Sequence, residues 1–491
     1  MRRDRKFSME EIVAILEAAI GKTLGEVDVN HVFDKTIAHP KITGIAGDVV
    51  EQSVLGFGPD NLSEPDIEVD GVLVELKTTG IRKPEPDAKV FEAKEPVSVT
   101  AVSPNNIITE TFYESKFWHK IRKLLFVYYE YASYVTVTAR EYMDFFLRGY
   151  DFYEFNKYDR RILKSDWEMV KDFIVMLREQ PGFDEIEYQR LSSELNDKLM
   201  YIDTAPKWPH PPRFRLKKTL VTQIVQEHFN KHPLKEVEDI YGYATLDSKC
   251  RSVETQYVGK TVEELANLFN LTIKYDKNGD VIKSITERIA VKMLGGDASR
   301  INNLDIFKKA GVIGKTIVYT NSGGRTEDMK LFTIDFDNWL NEDIGFDDSQ
   351  IHDYFANHQF LCIQYKETVE GDILKSQFVG FKRISFSQDF INTYAKWIWE
   401  QVRTTILSGN LKETIVLDKN GNPQYNKKTG TIKTSINFPK SRDDMKLFVR
   451  GTGDDSTKKP FSLCGIDMYF QQVWIKGLEI VNLLKEENEQ K

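Results

Sequence analysis

The stretch EPDIEVDGVLVELKTTG, residues 64–80, limits what this chain can become more than any other. Asp70-Gly71 lies between two valine-rich runs, and a two-residue turn of type I′ needs positive φ at both positions, which Asp and Gly tolerate. Folding the chain back there pairs Val69 with Val72, Glu68 with Leu73, Ile67 with Val74 and Asp66 with Glu75. Side chains alternate faces along a strand. One face therefore carries Ile67, Val69, Val72, Val74 and Leu76 and belongs to a core. The other carries Asp66, Glu68, Leu73, Glu75 and Lys77.

Carboxylates directly opposite each other repel, which costs stability unless a cation lies between them. Hard oxygens at this spacing suit Mg²⁺, which keeps several waters and also takes phosphate oxygens. Lys77, two residues along the same face, could then align or help deprotonate a water, the arrangement of a metal-dependent phosphodiesterase. A solvated strand face with an incidental Glu–Lys pair would show the same letters, so the hairpin needs companions.

Composition bounds the search for them. The 491 residues allow two to four domains, and 41% apolar with 12% aromatic residues is ample for folded cores. The net charge is −8, so an anionic partner would have to be met by a local basic patch. Cys250, Cys362 and Cys464 are odd in number and far apart, and no CxxC occurs. That pattern excludes a disulfide framework and a zinc site, and reads as a reducing, cytoplasmic setting. The opening MRRDRKFSMEEIV has charge but no apolar run behind it; Ser8 and Glu11 read as a capping box ahead of Ile12, Ile15 and Ala19. No apolar run approaches the ~18–20 residues of a membrane span, so a soluble chain is expected.

Three stretches accompany the hairpin. GIAGDVVEQSVLG (44–56) reads as a helix whose Glu51 could point toward the same metal. SKFWHKIRKLLFVYY (115–129) reads as a basic helix end, with His119, Lys120, Arg122 and Lys123, running into an apolar strand. PKWPHPPRFRLKKTLVTQIV (206–225) reads as a proline-stiffened loop that delivers Arg213, Arg215, Lys217 and Lys218 ahead of a helix. Four cations at a helix start are unusual, since that end favours acidic residues. Arg and Lys can instead pair with guanine O6 and N7. Coarser periodicity predicts helices over 9–20, 45–55 and 165–178, and a strand in ASYVTVTA (132–139).

On these motifs the sequence resembles the MutH family of GATC-specific endonucleases and the two-domain (Sau-type) type II restriction endonucleases related to it. EPD…VELKT matches the family's PD…ExK site, AGDVVEQ its preceding glutamate helix, WHKIRKLLF its HK-containing segment and RFRLKKTLVT its base-contacting segment. The resemblance covers roughly residues 10–230. It implies a PD-(D/E)xK restriction-endonuclease-like α/β fold, a mixed sheet flanked by helices. It also implies Asp66 and Glu75 as metal ligands, Lys77 in the catalytic centre, Glu51 and Lys120 as accessory positions, and His119, Arg213, Arg215, Lys217 and Lys218 on DNA. The implied cofactor is Mg²⁺ and the implied partner double-stranded DNA, with a cognate methyltransferase in the host but no stable complex with it. One departure is the nine-residue gap from aspartate to glutamate, two more than the pattern leads one to expect. A longer hairpin tip explains it if Asp66 is the ligand; Asp70 is the competing assignment but would sit in the turn, off the metal-facing row.

The chain also echoes itself. AIGKTLGEV (19–27) returns as YVGKTVEEL (257–265), an offset of 238 residues that sets Lys315 under Lys77. FLCIQYKE (360–367) echoes LLFVYYEY (124–131) at 236, and VWIKGLEIV (473–481) has a place comparable to KKTLVTQIV. The carboxylates do not recur: Ile313 falls under Glu75, Leu304 under Asp66 with Asp305 adjacent, and Ala290 under Glu51. The expectation is a catalytic domain over 1–235 and a degenerate copy over 236–491 that binds DNA as an effector. A transient dimer on DNA formed through that copy stays open.

Other motifs carry less. The eight histidines lack metal-ligand spacing, and only His119, beside Lys120, adjoins the hairpin motif. The GKT triplets lack the glycine spacing of a phosphate loop. NSGGRTEDMK (321–330) reads as a glycine turn.

Overall fold

The computed structural model describes residues 5–58, 64–83, 90–133, 137–207, 209–230, 237, 239–276, 279–320, 327–342, 344–426, 429–453 and 457–489. Two compact units divide the chain. The first holds Met1–Ser252 with Val291–Val312, the second Val253–Ala290 with Ile313–Lys491. The segment 291–312, which the sequence reading leaves with the second half, thus packs in the first unit.

In the first unit β1 (Lys6–Phe7), β2 (Ile67–Val69), β3 (Val72–Arg82), β4 (Glu92–Ala93), β5 (Val97–Ala101), β6 (Leu124–Glu130), β7 (Leu147–Tyr153), β8 (Ile202–Lys207) and β9 (His210–Leu216) form two sheets. The main sheet runs β1-β2-β3-β6-β7, with β4 also on β3; the smaller one runs β5-β9-β8. Two neighbouring pairs, β1 with β2 and β3 with β6, are parallel, while β2 with β3 and β6 with β7 are antiparallel, so the main sheet is mixed. Helices flank it, among them Met9–Ala19, Ile45–Val49, Lys157–Arg178 and Lys218–Asn230. This is the α/β architecture the sequence predicts.

The hairpin has the predicted register, Ile67 opposite Val74, Glu68 opposite Leu73 and Val69 opposite Val72. Asp70 and Gly71 both take positive φ, 47° and 80°, as a type I′ turn demands. Ile67, Val69, Val74 and Leu76 are buried in one core with Ile12, Leu16 and Val50, and only Val72 at the tip is exposed. Each such burial stabilises by roughly 1.5–3 kcal/mol. β6 is apolar and buried from Leu124 to Tyr129, as suits a strand paired on both edges and covered on both faces.

Local signals account for the helices. Ser8 Oγ accepts from Glu11 N at 3.1 Å, and the helix Met9–Ala19 buries Ile12, Leu16 and Ala19 while Ile15 is half-buried. The amphipathic pattern read over 165–178 is the C-terminal part of a longer helix, Lys157–Arg178. The strand expected in ASYVTVTA lies partly outside the described residues, and Ala139 begins a 3₁₀ segment, Ala139–Asp144. Much of NSGGRTEDMK also lies outside them.

The second unit holds β10 (Val312–Tyr319), β11 (Met329–Thr333), β12 (Gln359–Lys366), β13 (Gln377–Ile384), β14 (Glu413–Ile415), β15 (Thr434–Ile436), β16 (Leu447–Thr452), β17 (Phe461–Leu463), β18 (Ile466–Met468) and β19 (Phe470–Ile475). Its sheets run β10-β12-β13 and β11-β19-β16, with hairpins β14–β15 and β17–β18. A core around Trp339, Phe360, Cys362, Ile398, Val473 and Ile475 holds it together.

The internal echo has structural counterparts. Thr23 and Thr261 each close a capping box, with Glu26 and Glu264, and each preceding glycine donates to a strand carbonyl at 2.9 Å: Gly21 to Leu147, Gly259 to Phe378. The first two GKT triplets are therefore helix caps; the third lies in β10. Tyr131 N donates to Ile81 O, and Glu367 N to Tyr319 O, both at 2.7 Å. Tyr319 follows Ile81 by 238 residues and Glu367 follows Tyr131 by 236, the offsets of the sequence echoes. Ser115 and Ser349 each cap the helix ahead of β6 and β12 and donate back to a phenylalanine carbonyl, Phe112 or Phe346. Leu304 departs from the offset: it is buried ahead of the helix Asp305–Lys309 in the first unit, and β10 pairs with β12 alone among the described strands.

Candidate active site

Four elements of the first unit meet at the charged face of the hairpin. β3 supplies Glu75 and Lys77. Glu75 lies in the parallel ladder opposite Leu124, its N–H donating to Lys123 O at 3.0 Å, and it is 1% exposed. A carboxylate so buried needs cations and hydrogen bonds. Lys77 Nζ donates to Glu75 Oε1 at 2.7 Å, and Lys120 Nζ to Oε1 and Oε2 at 3.0 and 2.9 Å. Lys120 comes from the helix Lys116–Ile121, fixed by the Ser115 cap, whose Oγ accepts from Trp118 N at 3.1 Å.

Asp66 precedes β2, and its Oδ2 accepts from Leu76 N at 2.9 Å. Burial and the neighbouring Glu75 push its carboxyl above the usual range, and Lys77, Lys120 and the Leu76 N–H oppose that shift. Glu51 sits where the helix Ile45–Val49 widens into a π-turn, Val50–Val54, a distortion frequent at functional sites. Burial, then Asp66 and Asp48, raise Glu51 to about 7, while Arg5 and Lys77 pull the other way. Glu51, Asp66, Glu75, Lys77 and Lys120 thus share one electrostatic environment.

His119 is aimed elsewhere, its Nε2 2.7 Å from Glu64 Oε2. The expected base-reading segment is a strand rather than a loop: Arg213 and Arg215 lie on β9, and the helix begins only at Lys218. Arg215 pairs with both oxygens of Asp203, at 2.7 and 3.0 Å, and Arg213 is half-buried. Lys217 Nζ donates to Asn196 O and Leu199 O, and Lys218 is buried with Nζ 3.9 Å from Glu92. Three of the four cations are therefore engaged, Arg215 by a carboxylate, Lys217 by backbone carbonyls and Lys218 by burial.

Sequence reasoning misses Arg5. Its guanidinium donates to the carbonyls of Asp66 and Gly58 and lies 4.7 Å over the Phe57 ring, tying the chain end to the segment that delivers Asp66. Nothing in MRRDRKF marks one arginine among three, because the partners are backbone carbonyls some 53 and 61 residues away.

A mixed sheet that presents an aspartate, a glutamate and a lysine on one hairpin face, with helices on its flanks, has the plan of the PD-(D/E)xK nucleases. Residues 55–166 match the family model of the DNA mismatch repair enzyme MutH, which makes this segment MutH-like and nuclease in kind. The matched span holds Asp66, Glu75, Lys77, His119 and Lys120; Glu51 precedes it. No curated protein matches the chain. Among the described residues no helix is long and apolar enough to cross a membrane.

The residues suit a hard divalent cation. Among the described residues no three His, Cys, Asp or Glu side chains gather as a ligand set. A buried carboxylate, Glu75, and a half-buried one, Asp66, raised by desolvation and then by Glu75, nonetheless make the oxygen-only donor pair that Mg²⁺ accepts while keeping waters of its own.

Proposed function

We propose that the chain is a Mg²⁺-dependent type II restriction endonuclease that makes double-strand breaks in DNA at GATC sites, leaving 5′-phosphate and 3′-hydroxyl ends. The observation that carries the reading is Glu75, a buried carboxylate held by two lysines and facing Asp66. Asp66 and Glu75 would hold the metal. Bound there, Mg²⁺ supplies Lewis acidity and neutralises charge at the phosphate. Lys77 orients the attacking water, and Lys120 offsets negative charge developing on the phosphate oxygens. Glu51, half-ionised near neutrality, can accept a proton as the water attacks.

The second unit favours restriction over repair. Its β10-β12-β13 order and its helix caps echo β3-β6-β7 and the caps of the first, yet by the sequence offset Ile313 falls under Glu75, and Tyr354 matches Lys120 in the helix after the serine cap. A unit without these groups fits a DNA-binding effector better than a second cutter. The rival reading, a GATC nickase of the mismatch-repair kind, is favoured by the name of the matching family.

The deciding experiment is digestion of GATC-containing plasmid, methylated and unmethylated, with Mg²⁺ or EDTA, followed by sequencing of the ends. Mg²⁺-dependent double-strand breaks at GATC support the restriction reading, and nicks alone the repair reading. Intact DNA in every lane, with binding retained, would reduce the chain to a DNA-binding protein with a vestigial hairpin.

A further inference from the structure

The second unit contains a cavity of about 730 Å³ that the cleavage reading does not use. Its walls are the paired strands β14 and β15 with Gln424 and Asn426, and the sheet strands β16 and β19. Among the described residues four cations line it, Lys433, Lys440, Arg450 and Lys459, against one acid, Glu413, in a chain whose net charge is −8. Lys459 is paired with Glu413 and Arg450 with Asp328, which leaves Lys433 and Lys440 as the positive excess of the described lining.

Arg450 and Lys440 are held in place. Arg450 lies between the Phe448 and Trp474 rings, at 4.9 and 4.8 Å, and reaches Asp328 at 2.8 Å. Lys440 donates to Ser435 Oγ and Ile436 O at the cavity wall, and burial followed by the nearby Arg442 brings its ammonium down to about 8. An arriving anion would relieve that cost. Amide and aromatic groups, Gln424, Asn426 and Gln471 beside Tyr469, line it together with aliphatic and hydroxyl side chains such as Val416, Met468 and Thr452. Gly453 leaves room for Tyr469, since a Cβ there would come within 2.7 Å of its ring.

We propose that this cavity binds a nucleoside phosphate, the phosphate against Lys433 and Arg450 and the base against the amide and tyrosine wall. Amide side chains pair with base edges, aromatic rings stack on bases, and cations take the phosphate. The volume is severalfold that of one phosphate and falls in the range of ligand pockets, ~300–1,000 Å³. The choice of a nucleotide over other anions rests on the nuclease reading. One chemistry has two sources here, a nucleotide unit of a DNA strand or a free nucleotide.

The test is calorimetric titration of the full chain in EDTA with a deoxynucleoside 5′-monophosphate and, separately, with a short DNA duplex, repeated for a Lys433→Ala/Arg450→Ala double variant. The expected result is at least about ten-fold weaker binding by the variant, and for the duplex a salt dependence shallower by about one per cation removed. A response to the monophosphate identifies a free nucleotide as sufficient, and a response to the duplex alone identifies the strand. Equal affinity of parent and folded variant for both probes overturns the proposal, as does a parent that binds neither. Should the double variant unfold, hydrogen exchange of the parent decides: a bound probe must slow exchange in β15 and β16, and no slowing refutes the site. The readout is binding without metal, so a chain that cuts nothing yet binds here would fail the nuclease reading alone.

Discussion

The ammonium of Lys120 lies 2.9 Å from Oε2 of Glu75, a residue 45 positions earlier in the chain and almost wholly buried. Lys77 approaches the same carboxylate from its own strand, so β3 and the helix before β6 are joined at one charge. Removing one partner of a buried ion pair costs far more than the pair contributes, about 3–5 kcal/mol, because the other charge is left stranded. Here each lysine leaves the other behind, so neither single loss should unfold the unit.

Lys77→Ala should reduce cleavage by on the order of 10²–10³-fold, the cost of losing one group that stabilises a transition state. Gel-shift affinity for DNA should stay within several-fold of the parent. Parallel loss of binding and cleavage would show that Lys77 holds the hairpin rather than serving the chemistry.

Divalent metal should raise the melting temperature, since ligands that bind only the folded chain stabilise by about 2.7 kcal/mol at a hundredfold excess over Kd. Ca²⁺ serves as a probe that leaves DNA out of the measurement. Asp66→Asn should erase the shift, and EDTA should abolish cleavage by the parent. A shift that survives in Asp66→Asn would move the metal elsewhere.

Glu51 makes a pH prediction. Its carboxyl is raised from 4.5 to about 7, so in that window the folded chain holds a proton that the unfolded chain has released. Stability contributed by the protonated form is full below about 4.5 and falls as pH rises toward 7. With metal absent, Glu51→Gln should be more stable than the parent at pH 8 by on the order of 1–2 kcal/mol and equal to it at pH 4. Denaturant midpoints across that range measure the difference, and a pH-independent difference would contradict it.

Lys309 joins the segment 291–312 to the first unit. It is 2% exposed and contacts Asp159 and Asp305 at 2.9 Å each. Burial works against its charge, yet Asp159, Asp305 and Glu227 hold it above the usual lysine range. Lys309→Ala strands two buried carboxylates and should cost about 3–5 kcal/mol in a urea melt. Asp159→Asn in the same background should recover part of that loss. A near-neutral Lys309→Ala would mean that the segment is not anchored there.

The sequence by itself determined the local features. Asp70-Gly71 set the turn, alternation set which face of the hairpin is charged, Ser8 set a helix start, and LLFVYY set an apolar strand. Each is governed by residues within a few positions of one another, so periodicity and turn chemistry suffice. The clustering of Glu51, Asp66, Glu75, Lys77 and Lys120 was legible only through the order of motifs, since no spacing rule brings Lys120 to Glu75. What tertiary structure alone decided depends on partners far apart in sequence. Arg5 reaches carbonyls whose identity no side chain advertises, Arg215 is turned to Asp203 and Lys217 to a loop backbone, and residues 291–312 leave the half they follow to satisfy Asp159. A buried charge goes where its counter-charge is, and that place is specified by the packed fold rather than by neighbours in the chain.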